Sequence, residues 1–194
     1  MLSEKKTKEI FLKTKALLQG HFILSSGLRS AQYLQCAKLL MHPKQSELIC
    51  KSLAKKINKI FKKIDLVVSP AIGGIVVGYE VARHLNVPSI FTERVSGEFQ
   101  LRRGFEIKPG AKALIVEDVI TTGKSSMECA KVVEQHKGKV IGFACIVDRS
   151  NNQSVINSKI ASQITFNIPT YHEDQLPNEL KSIPAIKPGS RNLI

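Results

Sequence analysis

An α/β fold, with a mostly parallel central sheet flanked by helices, is what this chain predicts, and three observations carry the prediction. Apolar runs without internal alternation occur at residues 66–69, 113–116 and 139–147. Such runs read as strands buried on both faces, the pattern of a parallel sheet. Segments with helical periodicity lie between them, as in strands joined by crossover helices. At the end of the second run two adjacent acids, Glu117 and Asp118, lead into a small-residue turn and a helix start, ALIVEDVITTGKS (113–125). Open α/β sheets bind their ligands at that carboxyl end.

Taken in order, residues 4–19 read as an amphipathic helix with Ile10, Leu17 and Leu18 on its apolar side, ended by Gly20. Residues 20–36, GHFILSSGLRSAQYLQC, read as strand, Ser-Ser-Gly turn and strand. A long helix is expected over 43–63, opened by Pro43 and bearing Leu48, Ile49, Leu53, Ile57, Ile60 and Phe61. The strand at 66–69 runs into Gly73 and Gly74, which open a helix carrying Val77, Val81 and Leu85. Two glycines there serve either close packing of helix on sheet or close approach of backbone N–H groups to an anion.

Residues 87–92 form the next strand, followed by the polar stretch ERVSGEFQLRRGFEIKPG, expected to be a mobile loop and a place for a lid. After the 113–116 strand, Thr121, Thr122 and Gly123 make a turn closed by Lys124 and Ser125. A turn of this kind entering a helix aims N–H groups and hydroxyls at a phosphate. Carboxylates beside it suit a ligand that has hydroxyls as well as phosphate, with a hard cation such as Mg²⁺ bridging oxygens. It is not a P-loop, because the residue five before Gly123 is Asp118. A helix over 125–136 and the strand 139–147 follow, and that strand delivers Asp148 and Arg149 to the edge where the acids lie. An arginine there can grip a planar carboxylate or carbonyl pair in bidentate fashion. A late strand is expected at 163–168, before a tail containing KPGSR.

Bulk properties bound the reading. At 194 residues the chain can bury one good core, so a single domain over 1–194 is expected. Four cysteines without a C-x-x-C pair suggest reduced thiols rather than disulfides or zinc. The start, MLSEKKTKEI, lacks the apolar core of a signal peptide, and the longest apolar candidate, 66–79, is broken by Pro70, Gly73 and Gly74. A cytoplasmic protein without a membrane partner is expected. The net charge of +13 fits either a nucleic-acid surface or a field that draws in a polyanionic small substrate. Few aromatics and no Trp argue against a platform for single strands.

The 113–125 stretch resembles the signature of the phosphoribosyltransferases that use phosphoribosyl pyrophosphate (PRPP). The 20–36 segment and Arg149 narrow the resemblance to the orotate phosphoribosyltransferases of the type I fold, short-loop branch. The resemblance implies a small hood from about residues 1–40 plus the tail 169–194. It implies a PRPP site of Arg94, Gly73, Gly74, Glu117, Asp118, Val119, Ile120, Thr121, Thr122, Gly123, Lys124 and Ser125, with Asp118, Glu117 and Arg94 as the catalytic residues. Orotate would be held by Thr121, Arg149, Ser26, Gly27 and Tyr33. No protein metal ligand is implied: Mg²⁺ would come with PRPP, bridged to Asp118 by water.

A homodimer whose loop acts in trans is also implied, with no nucleic-acid partner. Departures from the commoner pattern are Ser25 and Gly73, where lysines are usual, and Val95, Ser96, Gly97 and Glu98, where the loop's lysines and histidine would stand. Arg102 and Arg103 are the other cations nearby. Leu176, Pro177, Asn178 and Glu179 replace a C-P-x-C element of the tail. Two other readings stay open at this point, a purine-base phosphoribosyltransferase and a non-catalytic nucleic-acid-binding regulator of the same fold.

Overall fold

The computed structural model describes residues 1–24, 26–151 and 153–188. Ser25 and the end of the KPGSR tail lie outside the described residues. Helix α1 (Glu4–Lys13) is capped by Ser3, whose hydroxyl accepts the Lys6 N–H at 3.2 Å. It stops well before the expected end at residue 19. The Thr14 hydroxyl donates to the Ile10 carbonyl at 2.8 Å, Lys15 takes φ 54°, and Leu17–Ile23 becomes strand β1. Leu17 and Phe22 are buried in this strand, so the apolar residues that suggested a longer helix are used by a hairpin instead.

β1 pairs antiparallel with β2 (Arg29–Leu34), and the tail completes the hood. Phe22 bridges to Ile186, Arg29 exchanges backbone hydrogen bonds with Tyr171, and the Arg29 guanidinium pairs with Glu173. After α2 (Cys36–Leu40), α3 (Pro43–Ile60) buries Ile49, Leu53 and Ile57 against the sheet. Leu48 and Ile60, expected on that face, are 51% and 40% exposed, because the buried stripe is centred on 49, 53 and 57.

The main sheet contains β3 (Leu66–Pro70), β4 (Ser89–Val95), β5 (Glu98–Leu101), β6 (Lys112–Ile120), β7 (Lys139–Asp148) and β8 (Ile160–Thr165). Its order is β5-β4-β3-β6-β7-β8, parallel throughout except for β5, which runs antiparallel to β4 at one edge. β8 begins at Ile160 rather than 163. Helix α4 (Gly73–Leu85) follows β3, and α5 (Lys124–Gln135) follows β6. A 3₁₀ turn (Glu173–Gln175) and α6 (Asn178–Lys181) lie in the tail.

Strand alternation divides the core. Val67, Leu114, Val116, Ala144 and Ile146 face α1, α3 and α4. Leu66, Val68, Ala113, Ile115, Phe143 and Cys145 face α5. The first half of the stretch expected to be a mobile lid, up to Leu101, is instead a β4–β5 hairpin turning at Ser96 and Gly97. Phe99 and Leu101 alternate with polar residues there, and Phe99 is buried, so the stretch has the period of a half-buried strand. No helix among the described residues is long and apolar enough to cross a membrane.

Candidate active site

β6 continues through both acids, and the two-residue period of a strand sends their side chains to opposite faces of the sheet. Asp118 turns toward α4. A Cβ on Gly73 would lie 3.0 Å from Asp118 Oδ1, so any side chain there would make this carboxylate shift slightly. The Val119 N–H donates to Asp118 Oδ1 at 2.9 Å, and the Cys36 thiol lies 4.0 Å from the Asp118 carbonyl oxygen. Glu117 turns toward α5, where it accepts the hydroxyl hydrogen of Ser126. Burial raises both carboxyls. Glu117 is pushed up to about 7, burial outweighing the Ser126 hydroxyl, and the neighbouring charge of Asp118 raises it further. Asp118 is raised by burial against the opposing Val119 N–H.

The two glycines at the start of α4 differ. Gly73 is exposed at the sheet edge beside Asp118. Gly74 is buried, and a Cβ there would lie 3.1 Å from Ser69 Cβ and 3.2 Å from the Val116 carbonyl oxygen. Close packing of helix on sheet therefore accounts for Gly74, and ligand approach is open only at Gly73.

Beyond the acids, Thr121 and Thr122 are exposed and Gly123 has φ 78°. A Cβ on Gly123 would lie 2.8 Å from Ile156 Cγ1, and the Val155 N–H bonds the Thr122 carbonyl at 2.9 Å, so the segment after β7 pins the turn from outside. Lys124 is exposed, with its N–H 3.4 Å from Thr122 Oγ1. The amides of Ser125 and Ser126, in the first turn of α5, have no intrahelical acceptor, which makes this turn suited to an anion. Val119 and Ile120 contribute through their backbone. The Ile120 side chain is in the core, and its carbonyl accepts the Arg149 N–H at 2.8 Å.

That bond ties the end of β7 to the end of β6 and places Arg149 at the same edge as the turn and the acids. Arg149 Nε is buried without a hydrogen-bond partner, and burial lowers the pKa of the guanidinium. A donor in that state is suited to an anionic or carbonyl-bearing ligand. Burial, and then the charge of Asp118, push the Cys36 thiol up, and the charge of Arg149 opposes them.

Of the other expected residues, Arg94 is linked to the turn through Glu128, which also lies 4.0 Å from the Lys124 amine. Arg94 bonds the Gly97 carbonyl, pairs with Glu128 on α5 and lies over the Phe99 ring at 4.2 Å. Arg103 is committed to Glu93 through two bonds of 2.9 and 2.8 Å. Ser26 and Gly27 line an open hollow of about 630 Å³ with Leu28, His172, Glu173 and Asp174, a hood-and-tail feature. Tyr33 packs on Phe22 and donates to Gln35 Oε1 at 3.0 Å. Leu176 and Pro177 join the tail's 3₁₀ turn to α6, which Asn178 and Glu179 begin.

Sequence reasoning missed Ser126 and Cys36. Ser126 shares a helical period with buried Cys129, Ala130 and Val133, a signal that it faces the sheet. No local pattern marked Cys36. The donor set fits Mg²⁺ only through its ligand: the two carboxylates leave opposite faces of β6, and no group of three or more acids, histidines or cysteines among the described residues is placed to cage a metal.

Residues 38–175 match the model of the phosphoribosyl transferase domain. The chain is 52% identical over 186 residues, 95% of each chain, to the orotate phosphoribosyltransferase of Methylorubrum extorquens. It is 48% identical over the full length of both chains to that of Parvibaculum lavamentivorans. Among solved structures, orotate phosphoribosyltransferase from Aeropyrum pernix superposes with a TM-score of 0.66 at 23% identity, covering 82% of this chain and 93% of that one. Adenine phosphoribosyltransferase from Thermoanaerobacter pseudethanolicus superposes at 0.57 and 20% identity, covering 70% and 88%. The fold is thus shared by enzymes named for different bases, and the sequence identity makes the finer assignment. With that identity, and with acids, anion turn and arginine at one sheet edge, the chain belongs to the orotate phosphoribosyltransferases of the phosphoribosyl transferase family.

Proposed function

We propose that the chain transfers the ribose 5-phosphate group of PRPP to orotate, giving orotidine 5′-monophosphate and pyrophosphate, as a cytoplasmic step of pyrimidine (UMP) synthesis. The observation that carries this reading is the joining of Arg149 to Ile120 at the end of β6, which sets an under-bonded guanidinium beside the acid pair and the anion turn. Orotate has a carboxylate beside a ring carbonyl, a planar pattern that guanidinium N–H groups can match, and Thr121 is the hydroxyl at the same edge. The turn 121–125 takes the 5-phosphate, with Glu117 and Asp118 on the ribose hydroxyls.

The ring carbon gains positive charge as its bond to pyrophosphate breaks and the orotate nitrogen bonds to it. No protein nucleophile is needed, so the residues act by positioning and charge placement. Carboxylates beneath the ribose favour the cationic carbon, and the edge around Gly73 takes the pyrophosphate side. Mg²⁺, bound through PRPP and water-bridged to Asp118, would neutralise pyrophosphate charge.

One catalytic domain with a hood of β1, β2 and the tail serves this site, and the active unit is a homodimer in which the β4–β5 hairpin reaches the neighbouring site. Support for the dimer comes from α4 and the residue before it, where Ile72, Val76 and Tyr79 are 86%, 50% and 65% exposed at helical spacing beside the site. The function is tested by incubating the purified chain with PRPP, Mg²⁺ and orotate and following the loss of orotate absorbance. Turnover with a purine base and none with orotate would overturn it.

A further inference from the structure

We propose that Ser126 is a positioning residue that locks Glu117 to the phosphate-binding turn, so that the ribose and 5-phosphate grips move as one unit. The inference rests on the proposed function and deepens it. Ser126 is fully buried in the first turn of α5. Unlike exposed Lys124, its side chain turns to the sheet, and its hydroxyl donates to Glu117 Oε2.

The rest of that pocket offers the carboxylate little. Cys129 comes from α5 with its thiol already accepting the Thr92 hydroxyl at 3.4 Å, Cys145 is the register partner on β7, and Asp118 brings like charge. Held on Oε2 from below, Glu117 keeps Oε1 for a ligand hydroxyl. Because Ser126 is the third residue of α5, the same turn of backbone that offers amides to the phosphate carries the hydroxyl that orients the acid. A buried hydroxyl without such a partner would itself be disfavoured, which fixes the pairing from both sides.

The test measures binding of ribose 5-phosphate and of inorganic phosphate by calorimetry, together with steady-state kinetics. Ser126→Ala should weaken ribose 5-phosphate about tenfold, the scale of one hydrogen bond to a charged group, and raise the KM for PRPP by a similar factor. Binding of inorganic phosphate and the KM for orotate should stay within about twofold on that scale. Ser126→Cys, close in size but a weak donor, should act in the same direction and serves if the alanine variant does not fold.

In a Glu117→Ala background, which leaves the Ser126 hydroxyl no carboxylate to hold, Ser126→Ala should add little, since the two act as a unit. Equal weakening of both ligands, an undiminished effect in the Glu117→Ala background, or no effect in an active parent each overturns the role of Ser126. Failure of the parent to bind ribose 5-phosphate or to turn over orotate would instead overturn the functional reading.

Discussion

On the α4 side of β6, Asp118 meets the open start of a helix, an unsubstituted Gly73 and the thiol of Cys36, with Arg149 nearby. On the α5 side, Glu117, half-buried like Asp118, accepts the Ser126 hydroxyl hydrogen. Consecutive residues of one strand thus occupy different environments because a strand alternates its faces. The α4 side faces a helix start that carries no side chain at Gly73, and the α5 side holds its acid through a side-chain hydrogen bond. Each acid is raised by burial, but Asp118 is countered by a backbone N–H and Glu117 by a side chain that a mutation can remove.

The largest expected effect is on the α4 side. Asp118→Asn should fold and lose turnover by about 10² or more, the scale for removing a key electrostatic group. Near-normal kcat in the purified variant would remove Asp118 from the ribose.

Arg149→Ala should raise the KM for orotate by about 10- to 100-fold, as expected for losing charge-assisted hydrogen bonds, with a much smaller change for PRPP. Equal changes for both substrates would remove Arg149 from the base site.

The α5 side should reveal itself in stability. Glu117 has an ordinary value of 4.5 and is pushed up to about 7 in the fold. Between these values the folded chain holds a proton that the unfolded chain releases, so stability falls as pH rises through this window and levels off above about 7. Glu117→Gln removes the charge that must be buried. In urea unfolding of ligand-free protein, the variant should gain on the order of 2 kcal/mol over the parent at pH 8 relative to pH 4. A difference that does not depend on pH would contradict burial as the cause.

The smallest effect concerns the hairpin. Arg94 is held by Glu128 and Phe99, whereas Arg103 pairs with Glu93 farther along, so Arg94→Ala should lower kcat several-fold and Arg103→Ala by less than about twofold, the latter being an exposed ion pair. Mixed dimers of Arg94→Ala and Asp118→Asn chains, separated by differential tags, should recover part of the activity if the hairpin acts in trans. Mixed dimers no more active than either parent variant would place Arg94 in its own subunit's site.

Much was determined by sequence alone. The buried runs at 66–69, 113–116 and 139–147 specified parallel strands because no alternation was left to give one face to water, and the acid-turn-helix order of 117–125 put the site at their carboxyl ends. The delivery of Arg149 to that edge followed from the shared direction of β6 and β7. Tertiary structure decided what periodicity left ambiguous. Leu17 and Leu18 suit a helix face as well as a strand, and only pairing with β2 and the distant tail made them β1. The alternation of Phe99 and Leu101 became a strand only because β4 supplied an edge to pair with.

The division of labour between Gly73 and Gly74 and the choice of Ser126 as partner of Glu117 depend on distances across the sheet. The same holds for the commitment of Arg94 to Glu128. Sequence spacing cannot encode those distances, because they arise where one element's side chains meet another's after packing. Residue type and order set which chemistry is available, and packing sets which atoms meet.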